Sequence, residues 1–332
     1  MSVKKGSKAI LLLSIGSPES PKVRDVANYL SQFLINRRVV ELPFLLRTFV
    51  VYFCIVPFRV FKVTKRYKRL ADLYEQEFPI NKYGLSIEKQ LNQQVDLEDS
   101  EVFWGTCYGK HNLRKSLEII KEKGFEKLIL LPLFPQYAKS SSGVVAEEAL
   151  MCLRKLNFRP AIRIIRSFDT HPDFIQVWAE KIKTFHPENY DVVLFSYHSL
   201  PSKQAEESKR GKYDYEKACI ETTQRISQQI NIPSHQVETV FQSQMSSAWL
   251  DPFLDVRLFE KAKQGTKKIL VVMPGFVSDC LETVVEIEQY RKSFLQAGGE
   301  ELTLVDSLNN NPMWINALKG VILYFTRCNF VS

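Results

Sequence analysis

The chain reads as an α/β protein built on two parallel sheets of four strands, each flanked by helices. Eight short apolar runs, rich in leucine and β-branched residues, alternate with longer stretches of helical periodicity. Continuous apolar runs, as opposed to alternating ones, mark strands covered on both faces of a parallel sheet. The runs also fall into two sets of four, divided near residues 167–172 within "SFDTHPDF". The first set is "AILLLSI", "EVFWGTC", "KLILLPLF" and "IRIIRSF"; the second is "DVVLFSY", "VETVFQS", "KKILVVMP" and "LTLVDSL". This gives a first domain at 1–168 and a second at 169–332, with the last helix, "PMWINALKGVILYFTR", expected to pack back on the first domain.

The composition supports that plan and narrows the class. A chain of 332 residues with 45% hydrophobic and 25% charged residues has ordinary globular content, enough for two packed domains. Cys54, Cys107, Cys152, Cys219, Cys280 and Cys328 are scattered, with no C-x-x-C pair. Neither a disulfide framework nor a zinc or iron–sulfur site is expected, and a reducing cytoplasm fits. The opening "MSVKKGSKAILLLSIGS" has a short apolar run without a small-residue cleavage site, so it reads as a first strand and not as a secretion signal. The net charge of +8 suits nucleic acid, an anionic membrane or an acidic ligand. Because that charge is dispersed and no zinc-finger or RNP-like signature occurs, nucleic acid is not an expected partner.

One segment breaks the pattern. "LPFLLRTFVVYFCIVPFRVF" (42–61) is mostly apolar but is interrupted by Arg47, Pro57 and Arg59. That argues against a membrane-spanning helix. A core helix is the first expectation; the alternative is an amphipathic lid touching a large apolar ligand or a membrane, with Lys62, Lys65, Arg66, Lys68 and Arg69 facing headgroups or solvent.

Ligands of open parallel sheets sit beyond the carboxyl ends of the strands. His198 follows one such strand in "VLFSYHSLP", and Asp279 and Glu282 follow another in "VVMPGFVSDCLE". Asp279, Glu282 and Glu286 line one helical face with no basic partner in the helix, although like charges at this spacing cost about 0.2–0.5 kcal/mol per pair. A capping box between Asp279 and Glu282 accounts for two of them and leaves Glu286 unexplained. No G-x-G-x-x-G, Walker or G-x-S-x-G motif stands at any strand end, which disfavours dinucleotides, nucleoside triphosphates and serine hydrolysis. His111, His171, His186 and His235 carry no functional reading, and Cys280 is expected as a small buried residue at a helix start.

At these residues the sequence resembles the ferrochelatase family. "FSYHSLP" is similar to F-S-x-H-[SG]-L-P, "PGFVSDCLETVVEI" to P-G-F-x-[SA]-D-x-x-E-T-L-x-E-I, and "LPLFPQYAKSSSG" to [LY]-P-Q-[YF]-S-x-[ST]-T-x-G. The opening "SIGSPESPKVRDVANYLSQFLINRRVVELP" and the closing "LVDSLNNNPMWINAL" extend the resemblance over nearly the whole chain. It implies two Rossmann-like domains that hold a porphyrin in a cleft and insert ferrous iron, as in haem formation from protoporphyrin IX or coproporphyrin III. His198 and Glu282 would be the catalytic and metal-handling pair, with Glu286 and Asp279 as a secondary acidic line. Tyr67, Tyr108, Ile15 and Ser140 would face the porphyrin. An imidazole with a carboxylate suits Fe²⁺. Iron enters as substrate, and no further cofactor is expected. A monomeric cytoplasmic enzyme is expected, with the 42–61 segment in peripheral contact with a membrane. The alternatives are a chelatase for another tetrapyrrole or metal, the reverse iron-releasing reaction, and a porphyrin or haem carrier without turnover.

The sequence departs from the family mainly in its first half. Cys107 stands where M-R-Y-G has arginine, Phe78 where a serine is expected, and Ser246-Ser247 where G-P follows "FQS". Loss of the arginine predicts a weakened clamp on porphyrin carboxylates, with Arg37, Arg38 and Lys139 as candidate replacements.

Overall fold

The computed structural model describes residues 7–94, 97 and 100–326 of the chain; Cys328 lies outside them. All eight apolar runs form strands: β1 (Lys8–Gly16), β2 (Ser100–Tyr108), β3 (Lys127–Pro132), β4 (Ala161–Ile164), β5 (Val192–His198), β6 (Val237–Gln242), β7 (Lys268–Val272) and β8 (Glu301–Val305). They make two four-stranded sheets, ordered β2-β1-β3-β4 and β6-β5-β7-β8. Every pairing is parallel. The chain divides into two compact units, one of residues 1–134, 139–167 and 322–332 and the other of 135–138 and 168–321. The helix Pro312–Thr326 thus ends in the first unit, from Ile322 onward.

The central strands are buried on both faces, as their unbroken apolar runs require. Ala9 to Leu13 of β1 and Ile269 to Val272 of β7 are fully inaccessible to solvent. Each such leucine or isoleucine stabilises the fold by about 1.5–3 kcal/mol relative to exposure. In both sheets the chain enters at a central strand, adds the next strand on one side, then crosses to the other. This places a topological switch point between β1 and β3 in the first sheet and between β5 and β7 in the second. The crevice at the carboxyl ends of such strands is where open α/β sheets bind ligands.

Two glycines shape the first of these crevices. Gly16 and Gly109 have φ of +97° and +90°, and a Cβ on either would lie 2.1 Å from a backbone oxygen, that of Tyr108 or of Ser17. Only glycine allows the ends of β1 and β2 to turn this close together.

The 42–61 segment belongs to a 30-residue helix, Phe44–Leu73, with a π-helical stretch at Val50–Ile55. The expected core helix is not what forms. One stripe, Val51, Val56, Val60, Thr64, Tyr67, Leu70 and Ala71, is buried. Phe44, Leu45, Phe49, Phe53, Phe58 and Phe61 are instead exposed, from 55% to 81%. The apolar run is wider than the single stripe needed to attach a helix to a domain. The excess faces solvent.

Candidate active site

The second unit brings His198 and the acidic helix to the same switch point. His198 is the last residue of β5. Glu282 opens the helical segment that follows β7, the strand paired with β5. Alternation along β5 puts Leu194, Ser196 and His198 on one face. Leu194 packs in the same apolar cluster as Ile287 and Phe294 of the helix that continues from Glu282. Ser196 and His198 therefore extend the sheet face that this helix covers. A cross-connection runs over the end of β5: Ser243, the residue after β6, donates through its hydroxyl to Glu286 Oε2 at 2.9 Å. Because β5 lies between β6 and β7, this bond spans the strand end that carries His198.

The imidazole is set by its own backbone. His198 Nδ1 lies 2.6 Å from the carbonyl oxygen of Ser199, and a carbonyl only accepts. Nδ1 therefore carries the hydrogen, which leaves the lone pair on Nε2. Tyr215 donates its hydroxyl to the His198 carbonyl at 2.8 Å, and the Trp249 ring lies 6.3 Å from the imidazole. Beneath them, Ser196 Oγ donates to Gln242 Oε1 at 2.7 Å, both residues fully buried.

The acidic row begins with a π-helical stretch, Glu282–Glu286, followed by the α-helix Ile287–Gln296. Such bulges are frequent at functional sites, and they displace side chains from regular helical positions. The capping expectation is corrected in its detail: the backbone N–H of Cys280 donates to Thr283 Oγ1 at 3.0 Å, so Thr283 closes the cap in place of Glu282. Asp279, 7% exposed, accepts from Asn309 Nδ2 at 2.7 Å and from Thr283 Oγ1 at 3.3 Å. Glu286 accepts from Ser243 and, at 2.9 Å, from the Tyr290 hydroxyl. These donors are neutral, so they steady the carboxylates without cancelling their charge. Burial pushes the Tyr290 phenol well above its ordinary range, and Glu286 beside it adds to the shift, so the phenol keeps its donor hydrogen. Burial likewise raises the Cys280 thiol, with the Glu282 charge reinforcing the effect; Cys280 is the inert buried residue the sequence predicts.

Among the described residues, no three or more His, Cys, Asp or Glu side chains are grouped to hold a metal ion by themselves.

In the first unit, Ile15 is the penultimate residue of β1, Tyr108 ends β2, and Ser140 follows β3 just before the helix Ser142–Lys155. Tyr67 joins them indirectly: the Tyr29 ring meets Tyr67 and Tyr108 edge-on at 6.1 and 6.3 Å. Tyr67 and Tyr108 are almost fully buried. They form the body of an aromatic wall, and Phe78 adds to it by packing edge-on against Tyr67 at 5.4 Å.

Cys107 does not leave an empty surface position; it is buried in the apolar cluster with Leu113 and Leu117. Burial drives its thiol well above the ordinary range, with the nearby charge of Glu148 as the next cause. The candidate replacements are already paired with acids, Arg37 and Arg38 with Glu147 at 2.9 and 2.6 Å and Lys139 with Glu41 at 2.5 Å. His171 takes the structural role left to it, its Nδ1 accepting from the Asp173 backbone N–H at 3.3 Å to cap the helix Pro172–Lys183. The residues that the sequence did not flag are Ser243 and Asn309, which fix the acidic segment from loops remote in sequence, and Tyr290, which reaches back to Glu286 from the next turn of the same helix.

The sequence profile of the family described as ferrochelatase matches residues 7–324, which is nearly all of this fold. The chain belongs to the ferrochelatase family. It is 34% identical over 340 residues to a ferrochelatase of Porphyromonas gingivalis, covering 96% of each chain. It is 32% identical over 342 residues to one of Coxiella burnetii, covering 96% of this chain and 94% of that one. A Legionella pneumophila ferrochelatase is 30% identical over 331 residues, with 95% and 98% covered. Among solved structures, SirB from Bacillus subtilis with Fe³⁺ aligns with a TM-score of 0.58 at 11% identity, over 98% of this chain and all of that one. SirB in complex with cobalt aligns with a TM-score of 0.54. At that identity the likeness extends to the chelatase fold alone.

Proposed function

We propose that the chain inserts ferrous iron into a porphyrin to form haem, with His198 and Glu282 as the working pair. The observation that carries this reading is their common position: His198 ends β5 and Glu282 follows β7, on either side of the switch point, in a chain matched end to end by the ferrochelatase family. The free-base porphyrin loses two pyrrole protons as it gains the metal. His198 Nε2, with its lone pair set by the Nδ1 bond to Ser199, takes the two pyrrole protons one after the other, releasing each to solvent, and Glu282 holds the incoming ion. One nitrogen cannot accept a proton and ligate iron at once, so dividing the roles between two residues satisfies both demands. Glu286 and Asp279 keep the approach negative. Ile15, Tyr67, Tyr108 and Ser140 are the porphyrin-facing residues that the family resemblance implies; protoporphyrin IX and coproporphyrin III are the substrates to compare.

All of these residues belong to one chain, so a monomer suffices. The exposed aromatic face of the helix Phe44–Leu73 gives the enzyme a peripheral hold on the cytoplasmic surface of a membrane. By length and composition this helix can cross a bilayer. Its buried stripe is nevertheless packed against the first unit, so it lies on the surface without spanning it.

The deciding experiment mixes purified protein with each porphyrin under anaerobic conditions and adds Fe²⁺. Appearance of the metalloporphyrin absorbance bands supports the reading. A band shift on porphyrin binding with no metalloporphyrin formed assigns a carrier instead, and turnover confined to a sirohydrochlorin-type ring assigns another chelatase.

A further inference from the structure

The closing motif "SLNNNP" remains unused by the chemistry above, and the structure gives one of its asparagines a defined task. Asn309 follows β8, the edge strand beside β7, and has φ of +51°. Its backbone N–H donates to Val277 O at 2.8 Å. Its side chain makes a reciprocal pair with Asp279: the Asp279 backbone N–H donates to Asn309 Oδ1 at 2.8 Å, and Asn309 Nδ2 donates to Asp279 Oδ2 at 2.7 Å. Asp279 Oδ1 in turn accepts from Thr283, which also receives the Cys280 N–H. One asparagine thus grips the β7 connection at two residues, and its grip passes through Thr283 into the first turn carrying Glu282.

We propose that Asn309 is a positioning residue for metal insertion, fixing the direction of Glu282 through a reciprocal clasp on Asp279. The inference rests on the proposed role of Glu282. It also gives Asp279 a task beyond the secondary acidic line: its two carboxylate oxygens accept from Asn309 and Thr283, and it is buried. The left-handed backbone at position 309 explains the residue type. Asparagine and aspartate tolerate that conformation better than other non-glycine residues, and only asparagine offers both an acceptor for the Asp279 N–H and a donor for its carboxylate.

This asymmetry supplies the test. Asn309→Asp keeps the shape and the backbone preference but sets two carboxylates facing each other. Asp279→Asn removes the charge the asparagine holds. The double variant Asp279→Asn/Asn309→Asp restores the pair with donor and acceptor exchanged. Insertion of Fe²⁺ is measured with iron and porphyrin varied separately, porphyrin binding by fluorescence quenching, and folding by thermal unfolding. The expected result is a fall of tenfold or more in kcat/KM for Fe²⁺ in Asn309→Asp. Porphyrin affinity should stay within twofold, and the double variant should recover to within threefold of wild type. The clasp is overturned if Asn309→Asp keeps wild-type iron kinetics, if porphyrin affinity falls in parallel with iron, or if the folded double variant stays as impaired as the single one. Glu282→Gln is run alongside. Should it retain full activity, the reading of Glu282 fails and the inference with it; an inactive Glu282→Gln with an unimpaired Asn309→Asp removes the clasp alone.

Discussion

The two sheets share one strand order, yet their carboxyl ends carry opposite chemistry. The end of the first is aromatic and apolar, with Tyr29, Tyr67, Tyr108 and Phe78 in edge-on contact and Ile15 next to the strand terminus. That of the second is polar, with an imidazole of fixed tautomer and carboxylates steadied by hydroxyl, amide and phenol donors. One strand plan hosts both because function resides in the residues at the strand ends and not in the sheet. Taken each by itself, the apolar end suits a flat conjugated ring and the polar end a cation and displaced protons.

The sharpest way to break this division is to remove the imidazole. His198→Ala should lower iron insertion by about a hundredfold or more, in the range of general acid–base catalysis. Porphyrin binding should remain measurable, because the apolar wall is untouched. Activity above about a tenth of wild type, a barrier change under about 1.4 kcal/mol, would take His198 out of the mechanism.

The next effect distinguishes two acids on one helix. Glu282→Gln should reduce turnover by more than tenfold with little change in thermal stability, since Thr283 makes the cap. Glu286→Gln should cost less in rate and more in stability. One of its carboxylate oxygens becomes an amide nitrogen facing Ser243 or Tyr290, and losing one such bond is worth roughly 0.5–1.5 kcal/mol. Equal losses of turnover in the two variants would merge them into a single metal path.

How far the sequence leads differs between these regions. All eight strands are legible because unbroken apolar runs have one economical explanation, and the positions of His198 and Glu282 beyond strands are legible because their motifs directly follow two of those runs. Asn309 is not. It acts on Asp279 from thirty positions away through a left-handed backbone, and no local periodicity encodes that. The segment 42–61 misleads toward the core for a related reason: apolarity marks Val51 and Phe53 alike, and only packing against the first unit shows which is covered. The burial of Cys107 is not legible either, because it depends on Leu113 and Leu117, which belong to a helix beyond the next turn.

The exposed helix tests whether the apolar character of the first unit extends to its surface. Phe49 and Phe53 stack at 5.4 Å with both rings in solvent, and Lys62, Lys65, Lys68 and Arg69 are exposed farther along the same helix. Phe49→Ser/Phe53→Ser should reduce sedimentation with anionic liposomes severalfold while leaving unfolding unchanged, because neither ring is part of the buried stripe. Binding that is equally strong to neutral and anionic vesicles would remove the basic residues from the contact. Protein extracted only by detergent, even at high salt and alkaline pH, would overturn the peripheral reading in favour of a spanning helix.

The smallest expected effect concerns Cys107→Arg. An arginine at a surface position would hold a porphyrin carboxylate through paired charge-assisted hydrogen bonds and shift the preference among porphyrins. Position 107 is inside the cluster of Leu113 and Leu117, and after burial itself the charge of Glu148 acts most strongly on its thiol. Burial also raises the Glu148 carboxyl, which Asn36 contacts at 3.1 Å. A guanidinium introduced there meets an internal acid before it meets a propionate. The ratio of affinities for free-acid and esterified porphyrins should therefore stay within about twofold of wild type, less than the roughly 1.5–3 kcal/mol of a new hydrogen bond to a charged group would produce. The Glu148 carboxyl should at the same time fall back toward its ordinary range, measurable by infrared titration. A tenfold gain in preference for the free acid would instead show that the first sheet ends in a surface able to grip carboxylates, and the contrast between the two sheets would be one of degree.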